Sequence, residues 1–173
     1  FGCFTKDTKI KLTDGRSLDF EQLIKEQKKG KRHWGFTFNT KAGLIEIAEI
    51  TNPRLTRKKA RLVEIELDNG RKIRCTPDHR FLLRSGRYKE AEDLKRNESL
   101  MPLYIEPHDG SLDKNLKDYE VVHQLNNDLQ FIHHLADLWN LNNNIYQRSL
   151  GRVRHHKDFN KHNNNPDNVT RMD

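Results

Sequence analysis

Cys3 stands almost at the chain start, directly after Phe1-Gly2, and a thiol so placed is suited to attacking the carbonyl of the residue before it with no external substrate. The attack exchanges the Gly2–Cys3 amide for a thioester. This acyl shift is unfavourable unless the amide is strained or polarised and the leaving nitrogen is protonated. Gly2 has no Cβ to crowd the sulfur. His79, in the run Cys75-Thr76-Pro77-Asp78-His79-Arg80-Phe81, is the candidate acid. Thr76, three residues earlier, can hydrogen-bond the same peptide unit and hold it out of its resting geometry. Cys75 reads as a small packed core residue.

A second constellation lies near the other end, in Arg154-His155-His156-Lys157-Asp158-Phe159-Asn160 followed by Asn163-Asn164-Asn165-Pro166-Asp167-Asn168-Val169. Adjacent histidines on an extended backbone point in different directions, so one can bind a metal while the other faces a water molecule. In metal-assisted phosphodiester cleavage a divalent ion steadies the phosphate charge and leaving oxygen, and a neutral imidazole takes a proton from the attacking water. An Asn in the following loop can bond backbone groups there and fix the base.

The elements that must position these groups are mostly short strands. From Thr8 to Leu103 apolar residues alternate between closely spaced turn signals, the pattern of a small β-rich domain. In Leu62 to Cys75, Val63, Ile65 and Leu67 alternate with polar residues. Asp68-Asn69-Gly70 supplies a tight turn, and Ile73 and Cys75 resume the alternation. Thr13-Asp14-Gly15 marks a second hairpin, between Lys9–Leu12 and Arg16–Leu18. Phe20, Leu23 and Ile24 predict a short helix, and Ala91 to Leu94 a single turn. After Pro107-His108-Asp109-Gly110 the composition changes: residues 112–173 hold six of the nine histidines, many asparagines and little strand-like alternation. A module boundary is expected there. An amphipathic helix is expected around 129–140 from Ile132, Leu135, Leu138 and Trp139, ended by Asn142-Asn143-Asn144.

Charged residues make up 33% of the chain and hydrophobic ones 34%, so the core is economical and the surface very polar. No apolar run approaches the roughly 20 residues of a membrane helix, and the first residues lack a secretory layout, which together predict an intracellular or cytoplasmic protein. The two cysteines are too few for a disulfide framework. The net charge of +7 arises wholly in residues 1–111, with 24 Lys/Arg against 17 Asp/Glu, whereas residues 112–173 hold 8 of each. It concentrates in Lys25 to Arg32 and in Arg54 to Arg61, either solvated rims or surfaces for a nucleic-acid backbone or an acidic partner.

Cys3-Phe4-Thr5-Lys6-Asp7-Thr8-Lys9-Ile10 resembles the opening splicing motif of inteins, and Thr76-Pro77-Asp78-His79 resembles their second motif. Asn69-Gly70 and Leu94 to Leu103 also fall where inteins place a hairpin and a final strand. The resemblance covers about the first 105 residues and implies the horseshoe-like Hint β fold. It also implies that Cys3 is the splicing nucleophile, that His79 polarises the scissile bond and protonates the amine, and that Thr76 assists. No cofactor is expected for splicing. Phe1-Gly2 would be a remnant of the flanking host protein or of the expression vector. The paired histidines and Asn-rich loop resemble HNH nucleases embedded in inteins, implying His155 as metal ligand, His156 as general base and Asn168 as central Asn, and His133 to Leu141 resembles the segment leading into that motif.

The expected organisation is therefore mainly β, with a splicing domain at 3–107 lacking its closing strands and a smaller α+β HNH-like region at 108–173. Two parts of the family pattern are not found in the sequence: the HNH helix that completes a magnesium site, and the terminal His-Asn pair of inteins. A lone imidazole suits magnesium poorly. Inefficient DNA cleavage is expected, and a first acyl shift whose completion needs a C-terminal intein fragment or the rest of the intein, acting on flanking host segments. Split intein, truncation and part of a longer protein all remain open. Double-stranded DNA is a possible partner and a membrane is not. Two rivals stand beside this reading: a DNA-binding module with a degenerate HNH segment and no splicing, and a cysteine hydrolase using Cys3 and His79.

Overall fold

The computed structural model describes residues 2–173. Its elements are short because the sequence turns back on itself at close intervals. β1 (Lys9–Lys11) pairs antiparallel with β2 (Ser17–Asp19), and α1 (Phe20–Lys28) follows at once. The Asp19 carboxylate accepts from the Gln22 amide while the Gln22 side chain accepts from the Asp19 amide, a reciprocal cap that fixes where the helix begins. Leu23 on its inner face is fully buried.

β3 (Trp34–Asn39) and β4 (Leu44–Glu49) form the longest hairpin. β5 (Val63–Glu66) and β6 (Lys72–Cys75) form the next, in the register Val63↔Cys75 and Ile65↔Ile73. The strands stop one residue short of the expected alternation, because Leu67 and Arg71 close the turn and Gly70 takes a φ of 76° that a Cβ would oppose. β7 (Arg80–Leu82) and β8 (Tyr88–Glu90) lead into a single 3-10 turn at Ala91–Asp93. The expected final strand in Leu94 to Leu103 is reduced to a bridge between Leu83 and Leu100.

The second part is more strand-rich than its composition predicted. β9 (Ile105–Pro107), β10 (Glu120–His123) and β11 (Leu129–Phe131) make a three-stranded sheet with β10 central, and β12 (Val153–His156) pairs with β13 (Val169–Met172). α2 spans Ile132–Asn142, so the expected helix starts three residues late. Leu129-Gln130-Phe131 fit either period, and pairing with β10 decides for strand. The end of the helix falls at the asparagines, with Asn144 at a φ of 56°.

The expected boundary between 107 and 108 is not a boundary in the packing. Trp34, Ile45 and Ile47 of β3 and β4 share one buried cluster with Val122, Ile132, Leu135, Ala136 and Val169. Trp34 packs edge-to-face on Trp139 with ring centres 5.6 Å apart. The Gln124 amide both accepts from the Ile45 amide at 2.7 Å and donates to the Ile45 carbonyl at 3.0 Å, extending β4 as a neighbouring strand would. Farther on, Asn164 donates its amide to the Thr13 carbonyl and Thr13 its hydroxyl to Asn165. The change in composition marks polar surface loops, not a gap between cores. Two smaller clusters complete the interior: Leu12, Leu18 and Leu23, and Cys75, Phe81 and Ala91.

Asp137 ties α2 to the last hairpin. Its carboxylate is 2% exposed and accepts from Arg171 Nε at 2.7 Å and Nη2 at 2.6 Å, from Tyr146 at 2.9 Å and from Arg154 at 3.2 Å. Burial pushes its acidity down, and these donors outweigh burial, so the group stays ionised below the usual carboxylate range. Beside it His133 and His134 are held neutral down to about 3 and about 4, chiefly by burial.

Two outcomes follow from these groups. Asp137→Ala strands the buried Arg171 guanidinium and is expected to cost about 3–5 kcal/mol, read as a lower urea midpoint. In the unfolded chain His133 and His134 take up protons near pH 6.5, while in the folded chain they resist until far lower pH. Their contribution to stability is therefore complete above about pH 6.5 and is lost progressively on acidification. Urea midpoints measured against pH should fall over that range, and His133→Leu should flatten the slope.

Candidate active site

The N-terminal segment reaches its site by adding itself to the outer edge of β6. Phe4 bridges antiparallel to Cys75, and the Thr5 amide donates to the Arg74 carbonyl at 3.1 Å. Asp7 anchors the segment through an ion pair to Arg74 at 2.7 Å. This pairing delivers Cys3 to Thr76, which grips it twice. The Thr76 amide donates to the Cys3 carbonyl at 2.8 Å, and the Thr76 hydroxyl accepts from the Cys3 amide at 2.8 Å. Thr76 is 1% exposed. The Thr76 side chain, together with the Arg57 guanidinium, holds the neighbouring Asp78 carboxylate below the usual carboxylate range.

His79 packs against Gly2, beside the same peptide bond. Its backbone is fixed by donating to the Thr76 carbonyl at 3.0 Å and accepting from Ala91 at 2.8 Å. Its ring sits between Phe4, with centres 3.9 Å apart, and Phe81 at 5.2 Å. Burial lowers its basicity below the usual histidine value, with the Gly2 backbone and Asp78 opposing in part. Nδ1 is buried and makes no hydrogen bond of good geometry to any described residue. An orphaned buried nitrogen is costly in a structural residue and suits one that handles a proton. Gly2 packs directly on His79: a Cβ there would lie 2.7 Å from the His79 amide nitrogen and 2.8 Å from its Cβ. The absence of a side chain at position 2 is thus a requirement of the fit to His79 as well as of access for the sulfur.

The four residues expected from sequence, Gly2, Cys3, Thr76 and His79, therefore meet at one place. Sequence reasoning missed two others. The loop between β4 and β5 carries Thr56, whose hydroxyl oxygen is 2.9 Å from Cys3 Sγ, and Arg57, which pairs with Asp78 at 3.2 Å. Nothing in the spacing of Thr56 could reveal it, since only the loop's path over the site brings it there. Cys75 is fully buried against Phe81 and Ala91, and burial pushes its thiol pKa up.

His155, His156 and Asn168 are placed elsewhere, on the β12–β13 hairpin joined to the main core through Val169. Asn168 braces the intervening loop, donating to Asp158 and to the Asn163 carbonyl at 2.8 Å each and accepting from the Asp158 amide at 3.2 Å. The expected division of labour between the histidines is not realised in this geometry. His155 is half-buried and meets Phe159 edge-to-face, while His156 is 4% exposed, with Nε2 3.0 Å from Asn164 Oδ1. A ring enclosed in this way does not face a water molecule. Among the described residues no group of three His, Cys, Asp or Glu side chains is placed to hold a metal ion, so the donor set does not fit the divalent ion that the HNH resemblance implied. Among the same residues no helix is long and apolar enough to cross a membrane.

Comparison with known proteins gives these observations a family. A profile described as intein splicing domain matches residues 10–164, across the expected module boundary and starting after Cys3. A DNA gyrase subunit of Synechocystis sp. is 44% identical over 175 residues, covering 99% of this chain and 16% of that protein. Elongation factor 2 of Methanopyrus kandleri is 32% identical over 150 residues, covering 76% of this chain and 12% of that protein. The chain thus spans less than a fifth of the length of these relatives. Among solved structures, the G-1F mutant of the Ssp DnaB mini-intein variant M86 superposes with a TM-score of 0.51 at 22% identity, covering 68% of this chain and 70% of the other, a likeness of fold. With the mainly β architecture and the profile match spanning most of its length, this chain belongs to the intein splicing domain family.

Proposed function

We propose that this chain performs the first step of protein splicing at its own Gly2–Cys3 bond. Cys3 Sγ attacks the Gly2 carbonyl carbon, the C–S bond forms as the C–N bond breaks, and the proton lost by the thiol is balanced by one gained at the departing Cys3 nitrogen. The observation that carries this reading is the double grip of Thr76 on the Cys3 peptide, opposite a buried His79 with an uncommitted ring nitrogen. Because Thr76 takes the amide hydrogen, the lone pair developing on nitrogen is left for the acid. A histidine made less basic by burial is a stronger acid once protonated, which favours its giving the proton up to an amine. Later steps, release of the intein and joining of the flanking host segments, belong to a C-terminal intein part that pairs with this one and supplies its remaining strands.

The segment 108–173 is read as a structural half of the splicing core that keeps an HNH-like sequence. Its helix and hairpin bury the face of β3 and β4, and His133 and His156 are buried, His156 against Asn164. No cleavage step is assigned to His155, His156 or Asn168.

A reporter joined ahead of Gly2 tests the main reading. Added dithiothreitol should release it as a thiol adduct visible by intact mass; Cys3→Ala should abolish release and His79→Ala slow it by about a hundredfold or more. Gly2→Ala should also slow it, because the new Cβ forces the scissile bond away from His79. Release that persists without Cys3 would sink the assignment, and an inert bond with salt-sensitive DNA affinity would favour a DNA-binding module instead. In a separate assay the purified chain with magnesium should leave plasmid DNA uncut.

A further inference from the structure

The basic run Arg54 to Arg61 lies in the loop between β4 and β5 and crosses the splice site, where two successive side chains make different contacts. Thr56 Oγ1 is 2.9 Å from Cys3 Sγ, and the neighbouring Arg57 guanidinium is 3.2 Å from the carboxylate of Asp78, two residues on from Thr76. Two parts of the chain, 56–57 and 76–78, thereby meet around the Cys3 peptide: Thr56 on the sulfur, Thr76 on the Cys3 amide, and Arg57 on Asp78. We infer that Thr56 is a further catalytic group that sets the reactivity of the Cys3 thiol, and that Arg57 is the positioning residue that clamps its loop over the site. The proposal rests on the reading of Cys3 as nucleophile.

The chemistry of a hydroxyl suits the task. It has one proton to give and lone pairs to accept with, so Thr56 can accept the resting S–H and, by rotating, donate to the sulfur as it becomes a thiolate. The thiolate is the attacking form, and a donor placed on it favours its formation. The same contact restricts the sulfur to one orientation, which raises the fraction of time it faces the Gly2 carbonyl. Arg57 acts at a distance. Its loop is exposed, and the ion pair to Asp78 helps to hold Thr56 at the thiol. Part of the local basicity is therefore spent inside the splice site, and Arg57 is committed to Asp78 as well as to the surface field.

The test uses the chain as it stands and separates this proposal from the reading beneath it. The rate of Cys3 alkylation by iodoacetamide, localised by mass spectrometry and followed across pH, decides the role of Thr56; buried Cys75 is a poor target. Thr56→Val, which keeps the shape and removes the hydroxyl, should move the alkylation profile to higher pH and lower the rate several-fold near neutrality, and Thr56→Ser should restore both. Arg57→Ala should give a weaker version of the same shift. A profile unchanged in Thr56→Val, or a Thr56→Ser variant that fails as badly as the valine, overturns the proposal. Thiol-dependent release of a reporter ahead of Gly2 is measured in parallel and should fall about tenfold in Thr56→Val. If alkylation responds to Thr56 while the unaltered chain releases nothing, control of the thiol stands and the splicing role of Cys3 falls.

Discussion

Everything around Cys3 depends on the addition of residues 3–5 to the edge of β6. An antiparallel bridge fixes register to a single residue, and a slip of one would turn Cys3 to the opposite face. Thr76 sits where β6 ends, so its amide and its hydroxyl are both available to the incoming strand, and the Cys3 peptide is held at its carbonyl and its nitrogen together. The hairpin made by β5 and β6 is therefore a ruler as well as a scaffold. Its turn length sets where Thr76 falls, and the short path from Thr76 to His79 brings His79 against Gly2.

His79 shows how little space the site allows. Phe4 and Phe81 pack against its ring, and Phe4 belongs to the segment that carries Cys3. Docking of that strand and formation of the aromatic cage are therefore one event. Placing Cys3 on β6 also packs Phe4 against His79, so that same segment contributes to the burial that lowers the basicity of the ring. Gly2 completes the fit by having nothing to place against the His79 backbone.

The rest of the molecule keeps this region in place through a core that ignores the sequence boundary. α2 covers the β3–β4 hairpin, and α2 is in turn pinned to the last hairpin by Asp137 and Arg171. Such a buried pair is weak as a source of net stability but strict about geometry, because either partner alone is an uncompensated charge. The asparagine-rich loop extends the same logic with neutral groups: Asn164 reaches His156 and Glu120, and Asn168 reaches Asp158 and the Asn163 carbonyl. A chain with few large apolar residues specifies its fold by satisfying polar ones.

Local physics was legible in the residues themselves. The Asn69-Gly70 turn, the hairpin about Thr13 to Gly15, the helix at Leu23 and the stop at Asn142 are written in nearest-neighbour chemistry, since turn geometry and caps involve atoms only a few residues apart. The pairing of Cys3 with Thr76 and His79 was legible through resemblance, because that motif keeps its spacing. What only the tertiary structure decided are the contacts whose partners have no fixed separation along the chain. These are the packing of Trp34 and Ile45 on Ile132 and Leu135, the choice of strand for Leu129 to Phe131, the enclosure of His156, and the arrival of Thr56 at the Cys3 sulfur. Burial and loop path are properties of the assembled surface, so the same histidine or threonine reads identically in sequence whether it ends in solvent, in a core or on a cysteine sulfur.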